Sequence, residues 1–380
     1  MSVPVVIVTD VRYRTALAVI RPLRKAGFTV IAVQTAVESP KKPAAFSSRC
    51  VSRRVTLDGS VKDEEYASRL LALCREYAPE RPILFPIGAD TLAMLSKHAA
   101  QFEAVCDFLV SPPEVLDAAN DKRVVAQTAL KTGVPVPEEF DCTDGKLPPR
   151  YPVFLKPRCG EKLGLHAEQR YASAENEAEF VEAYRNMSAF DPSPVVQERI
   201  TGDGCGICLV MDKHHNPVCV MGHKRIREYP IKGGPSACCI SYYDETLEQY
   251  AVRLLQALAF TGIAMVEFKG GRVLEINPRI WGSFPLTEVS GSRFAEDYVR
   301  AAQGEVFPEP DRFFRRGRRM RFVLNDTLAW LSCLKAGRWR DVGSGVLDVF
   351  RAKEALFRFT DQKPFWRYLY LTVRGKGGAQ

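Results

Sequence analysis

"MVEFKGGRVLEINPRIWGS", residues 265–283, decides how the chain is read. Glu267 lies upstream of a Gly270-Gly271 pair, and Glu275, Asn277 and Arg279 follow it at alternate positions. Side chains alternate between the two faces of a strand, so the turn decides which groups meet. A two-residue turn alone would set Glu267 opposite Leu274 and send the two acids to opposite faces. A three-residue turn, 270–272, shifts the register by one. Glu267 then faces Glu275, with Asn277 beside them, while Val266, Phe268, Leu274 and Ile276 make an apolar face. Only that register separates polar from apolar, and it is the one expected. Facing carboxylates repel; such a pair is kept where a cation bridges it or one acid holds a proton. An amide oxygen alongside completes a hard-oxygen set suited to Mg²⁺. Arg279, beyond the break at Pro278, suits phosphoryl or oxyanion charge.

Upstream, "VPVVIVTD" reads as a buried parallel strand, followed by a helical period and a second strand, "FTVIAVQ". A helix over 65–77, the strand "ILFPIG" and a further helix continue the alternation, so a doubly wound sheet is expected. The first βα turn, "TDVRYRT", contains no glycine, which excludes the dinucleotide fingerprint. Pro112 and Pro113 introduce one or two helices broken near Ala119 and Asn120. A compact α+β stretch follows, with the strands "YPVFLKP" and "PVVQERI" around a helix over 175–185. Further strands ("CGICLVMD", "PVCVMGHKRI", "SACCISYY"), a helix over 245–260 and the opening hairpin complete it. The expected class is α/β, turning to α+β in the central part.

The composition, 46% apolar and 26% charged, is that of a globular protein. There is no signal-peptide pattern at Met1, and the apolar tail "PFWRYLYLTV" is interrupted by Arg367, so a cytoplasmic chain without a transmembrane segment is expected. Eleven scattered cysteines argue for thiols rather than a disulfide framework. Cys205 and Cys208 stand three apart on a strand and so point to opposite faces. The net charge of +8 is uneven: residues 311–380 carry +10 and the rest −2, and "RFFRRGRRMR" (312–321) holds six arginines. That run reads either as an anion-binding face or as a solvated edge.

From about Pro113 to Gly304 the ordered motifs resemble the ATP-grasp superfamily, in particular the branch of biotin carboxylase and carbamoyl-phosphate synthase. The resemblance implies an N-terminal Rossmann-like preATP-grasp domain (1–112) and an ATP-grasp domain (113–307) with a lid at about 145–195. A basic C-terminal extension (308–380) follows. It implies that Glu267, Glu275 and Asn277 hold Mg²⁺, with Mn²⁺ able to substitute, and that Arg279 contacts the reacting group. "NDKRVVAQTALKTGVPVP" resembles the entry motif, whose lysine, Lys122, reaches the phosphates. "YPVFLKPRCGEKLG" resembles the strand whose lysine, Lys156, binds the α-phosphate. After it, Gly160 and Gly164 would belong to a lid, although Glu161 and Lys162 replace small residues.

"VVQERITG" resembles the adenine-binding hinge, with Gln197, Glu198 and Ile200. Asp203 is the nearest acid for the ribose. "GHKRIREYP" resembles the basic strand that reaches the γ-phosphate, with His223 and Arg225 and, by alternation, Arg227 towards the substrate; "KGGPSACC" would form a substrate-side loop. Ser283 stands where biotin carboxylase has the glutamate base for bicarbonate, so Trp281 and Ser283 are expected to shape an acceptor pocket instead. The implied activity is ATP-dependent joining of a small-molecule carboxylate to an amine through an acyl phosphate. Two alternatives stay open: activation of bicarbonate or carbamate, and a non-catalytic nucleotide-binding module with a basic tail. No nucleic acid is expected as partner, and a homodimer is allowed.

Overall fold

The computed structural model describes residues 3–38, 42–160, 165, 169–231 and 234–374. Three sheets organise them. The first is parallel, in the order β3-β2-β1-β4, from β1 (Val5–Val8), β2 (Thr29–Thr35), β3 (Arg53–Leu57) and β4 (Ile83–Phe85). All four residues of β1 are buried, as a central parallel strand covered on both faces requires. Val5 and Ile7 face a core with Tyr66 and Leu70, while Val6 and Val8 face Leu17, Ile20 and the rest of the molecule.

The second sheet is antiparallel, β6-β5-β7, from β5 (Val153–Lys156), β6 (Ala172–Ala174) and β7 (Val195–Glu198). With the helix Glu177–Ser188 it encloses a small core of Phe140, Val153, Leu155, Phe180 and Val196.

The third sheet has seven strands: β8 (Gly204–Met211), β9 (Pro217–Glu228), β10 (Ser236–Tyr242), β11 (Gly262–Lys269), β12 (Arg272–Asn277), β13 (Arg319–Arg321) and β14 (Ala352–Glu354). Their order is β12-β11-β8-β9-β10-β13-β14. One face packs Ile207, Leu209, Val266, Phe268 and Ile276 against Leu116, Val125 and Leu254, which come from the helices Pro113–Asn120, Lys122–Lys131 and Glu245–Ala257. The other packs Cys208, Met221 and Met265 against Trp281, Phe284 and the parallel-sheet unit. Cys208 lies on this second face and Cys205 on the first, the opposition expected for that pair. All eleven cysteines are free thiols.

The hairpin keeps the expected register by a different route. Glu267 does pair with Glu275, and Met265 with Asn277. Yet the turn is the two-residue one: Lys269 pairs with Arg272, and Gly270 and Gly271 both take positive φ, 53° and 77°, as a type I′ turn demands. The shift comes from a bulge instead: Phe268 pairs with Val273, leaving Leu274 as the extra residue. Val273, 2% exposed, therefore takes the core place expected for Leu274.

A second irregularity corrects the reading of Arg227. Cys239 pairs with Arg225 but Cys238 with Arg227, so Ile226 is an extra residue that breaks the alternation. Arg227 does not join Arg225. It is buried with Asp326 and Asp348, donating through Nε at 2.7 Å to Asp326 and through Nη1 at 2.7 Å to Asp348. Those acids lie on the helices Val323–Lys335 and Trp339–Arg351, so the C-terminal residues supply both an edge of the sheet and the counter-charges to its basic strand. The arginine run ahead of them is largely spent internally: Arg312 pairs with Glu248, Arg319 with Asp348 and Arg321 with Asp326, while Arg316 stacks over Tyr243.

Breaking a buried, hydrogen-bonded ion pair from one side leaves an uncompensated charge. Asp326→Ala is therefore expected to destabilise the protein by roughly 3–5 kcal/mol in urea unfolding. A change below about 1 kcal/mol, the scale of an exposed pair, would remove this clamp from the account.

Candidate active site

Register brings five residues into one row across the large sheet. Glu275 on β12 pairs with Glu267 on β11, then Gly206 on β8, His223 on β9 and Ser241 on β10. Gly206 is the blank in the row. A methyl group there would lie 2.4 Å from His223 Cε1 and 2.9 Å from Met265 Sδ, so the histidine ring occupies the space the glycine vacates.

The two acids are held apart from their mutual repulsion by one cation each. Arg225 Nη2 lies 2.7 Å from Glu267 Oε2, and Lys122 Nζ lies 3.2 Å from Glu275 Oε2. Asn277 Nδ2 donates to the other Glu267 oxygen at 3.2 Å. Arg225 is itself shared with Glu228 at 3.7 Å. Burial pushes the Glu267 carboxyl up, against the pull of Arg225. Burial also raises Glu275, but Lys122 and Lys156 outweigh it and hold that carboxyl down at about 2. Burial and the neighbouring cations thus move the two carboxyls in opposite directions.

Local structure explains why the cations are in place. Asp121 caps the helix Lys122–Lys131, accepting from the Arg123 and Val124 N–H groups at 2.9 and 3.4 Å. Arg158 grips the cap's carboxylate, and the Lys122 N–H donates to the Arg158 carbonyl at 3.1 Å. Lys122 is therefore the first helical residue, facing β12. Lys156 ends β5, is 6% exposed, and donates at 3.0 Å to the carbonyl of Leu274, the bulged residue. Burial lowers it to about 8, with Glu275 opposing that fall and Lys122 adding to it.

His223 is 3% exposed, and its Nε2 lies 3.4 Å from Ser283 Oγ and its Nδ1 3.8 Å from Cys208 Sγ. Burial first, then Arg225, push it down to about 3, so it is a neutral imidazole rather than a cation. Arg279 is half-buried and donates to the Ile280 carbonyl at 3.0 Å.

The other expected residues fall in three places. Gln197 is buried on β7, and Glu198 ties the strand down: its N–H donates to Glu138 O at 2.9 Å and its Oε1 accepts from the Glu138 N–H at 3.0 Å. Ile200 abuts the hairpin turn, where a side chain on Gly270 would meet Thr201 O at 2.6 Å and Ile200 Cγ2 at 3.1 Å. The hinge and the turn thus meet because Gly270 has no side chain. Asp203 is exposed at the rim, 3.6 Å from Lys224 Nζ. Gly160 packs at the described end of its loop, near Pro157; Glu161, Lys162 and Gly164 lie outside the described residues, as do Lys232 and Gly233 of the expected substrate-side loop.

Two residues expected at an acceptor pocket are buried. Trp281, 3% exposed, is a core residue, edge-on to Phe284 and Phe294 at 5.1 and 5.7 Å. Ser283 is buried beneath His223. A trough of about 840 Å³ along Glu248, Arg253, Phe307 and Arg312 shares no residue with the row.

Among the described residues no cluster of three or more His, Cys, Asp or Glu could hold a metal. The oxygen set at the row is two carboxylates and one amide, a set that fits a hard divalent cation.

The ATP-grasp domain family matches residues 119–283, an interval that contains Lys122, Lys156, the hinge, the basic strand and the whole hairpin. Biotin carboxylase from Campylobacter jejuni superposes with a TM-score of 0.63 at 16% identity, over 84% of this chain and 74% of that one. The biotin carboxylase domain of Hydrogenobacter thermophilus 2-oxoglutarate carboxylase, solved as a dimer with MgADP, ADP and bicarbonate, gives 0.61 at 17%, over 83% and 73%. L-amino acid ligase from Bacillus licheniformis gives 0.54 at 16%, over 80% and 74%. No curated protein matches the sequence. The chain carries an ATP-grasp domain, in the fold shared with biotin carboxylase.

Sequence reasoning missed Asp121, Arg158, Gly206 and the Leu274 carbonyl. An aspartate directly before a helical period is a capping signal, and a glycine inside a strand signals close approach; both were available. The carbonyl was not, since a bulge leaves no mark in composition.

Glu275 is the group that chiefly holds the proton on Lys156. In Glu275→Gln the Lys156 titration, followed by NMR of the side-chain methylene, is expected to move below about 8. An unchanged midpoint would show that the two charges do not interact.

Proposed function

We propose that the row is the ATP site of a Mg²⁺-dependent ligase that activates a small-molecule carboxylate as an acyl phosphate for attack by an amine. A carboxylate oxygen forms a bond to the γ-phosphorus while the β–γ bridging bond breaks and ADP departs. The amine nitrogen then bonds to the acyl carbon, and phosphate leaves as the nitrogen gives up a proton. Such chemistry needs charge screening and alignment rather than a protein nucleophile.

Glu267, Glu275 and Asn277 would hold the Mg²⁺ ion, or Mn²⁺ in its place, which when bound supplies positive charge to the phosphates. Lys122 and Arg225 now neutralise those acids; with nucleotide present they can turn to phosphate oxygens. Lys156 would bind phosphate from behind. Arg279 would meet the acyl phosphate and the oxyanion of the tetrahedral intermediate. His223, being neutral, would donate or accept a hydrogen bond without adding charge. The backbone at Gln197, Glu198 and Ile200 would receive adenine, Asp203 the ribose, and Gly160 would sit at the base of the lid. The domain limits proposed for this enzyme are 1–112, 113–307 and 308–380, and its setting is the cytoplasm.

The observation that carries this reading is the facing pair Glu267 and Glu275 ringed by Lys122, Lys156 and Arg225. The absence of a carboxylate at Ser283, which touches His223, favours an amine acceptor over bicarbonate.

An ADP-release screen across carboxylate and amine pairs tests it. Release is expected only with a matched pair, falling roughly 100- to 1,000-fold in Glu275→Gln, the usual scale for removing one preorganised charged group. Three results would overturn it: a variant turning over like the parent, stimulation by bicarbonate alone, or ATP binding without ADP release for any pair.

A further inference from the structure

The helix Trp339–Arg351 is built inside out. Its inward contacts are Asp348, fully buried on Arg227 and Arg319, and Gly345, where a side chain would come within 2.4 Å of the Trp330 ring. Outward it presents Trp339, Val346, Leu347 and Phe350, the last 87% exposed. Residues 339, 346 and 350 are spaced i, i+7 and i+11, one stripe of a helix. On the C-terminal helix, Lys363–Val373, Trp366 and Val373 are likewise 58% and 81% exposed. An apolar stripe facing water over this length marks an interaction surface rather than ordinary surface scatter.

Charge says what kind. Asp326, Asp348 and Asp361 are buried on arginines of the body, and Glu354 accepts from the Leu356 and Phe357 N–H groups. Among residues 323–374 whose side-chain exposure is described, which leaves out Arg340 and Asp341, the exposed charges are cations, including Lys335, Arg351, Lys353, Lys363 and Arg374. Tryptophan and phenylalanine flanked by lysine and arginine are the features of a helix lying in the headgroup region of an anionic bilayer. None of these helices is long and apolar enough to cross a membrane. A second copy fits less well, because a two-fold contact would bring like charges together.

We propose that the helices 339–351 and 363–373 form a docking face for an anionic lipid surface. The face is independent of the ATP site and does not rest on the activity proposed for it.

Co-sedimentation of the full chain with phosphatidylcholine vesicles, with and without phosphatidylglycerol, reads it directly. The parent is expected to sediment with the anionic vesicles and to be released as salt is raised. Leu347→Glu with Phe350→Glu, both at exposed positions, should abolish sedimentation while leaving the circular-dichroism melt unchanged. Neutralising Lys335, Arg351 or Lys353 to Gln should weaken binding roughly five-fold each, and only on the anionic vesicles. The proposal is overturned if the parent stays in the supernatant with both vesicle types. It is equally overturned if light scattering shows a dimer that the double glutamate variant splits, for the face is then covered by another copy.

Discussion

Two carboxylates forced together by strand register set the terms for everything around them. Glu267 and Glu275 are direct cross-strand neighbours in a partly buried place, where repulsion and desolvation act in the same direction. The chain answers with one cation apiece, each delivered by a separate element: Lys122 by the first residue of a capped helix, and Arg225 by β9. Neither acid can ionise cheaply until both elements are docked on the hairpin. The site is therefore also a joint, and its electrostatics report whether the large sheet and the helix are assembled.

Single extra residues do the aiming. Leu274 restores the register that a type I′ turn would have shifted, and its carbonyl becomes the acceptor for Lys156. Ile226 breaks the alternation on β9, so that Arg225 reaches Glu267 while Arg227 turns to Asp326 and Asp348. Bulges of this kind re-aim a side chain at the cost of one unpaired residue. In this sheet the one at Ile226 separates a candidate catalytic arginine from a structural one only two positions away.

That is why the sequence was legible in parts. Periodicity pointed to the α/β class, because that depends on where apolar residues recur, while the ordered motifs carried the resemblance that implied the ATP-grasp fold. The facing acids were found from the separation of polar and apolar positions alone, though through the wrong turn. Strict alternation then misled at Arg227 and at Leu274, where a bulge changes the count. Trp281 was misread for another reason: an aromatic beside a site is equally at home in its core, and here it packs on Phe284 and Phe294. The arginine run read either as an anion-binding face or as a solvated edge, because its counter-charges, Glu248, Asp326 and Asp348, lie far away in sequence.

β9 joins these strands of evidence, since its three basic residues live in three environments. His223 is neutral over Gly206, Arg225 is paired at the row, and Arg227 is locked in an ionic clamp with the C-terminal helices. The clamp explains how the helix Trp339–Arg351 can keep an apolar stripe outward. A helix normally docks by burying that stripe, but this one is anchored through Asp348 to Arg227 and Arg319. Its apolar side remains available to something else. The same strand therefore carries, two residues apart, a group committed to the candidate ATP site and a group that ties down the surface helix.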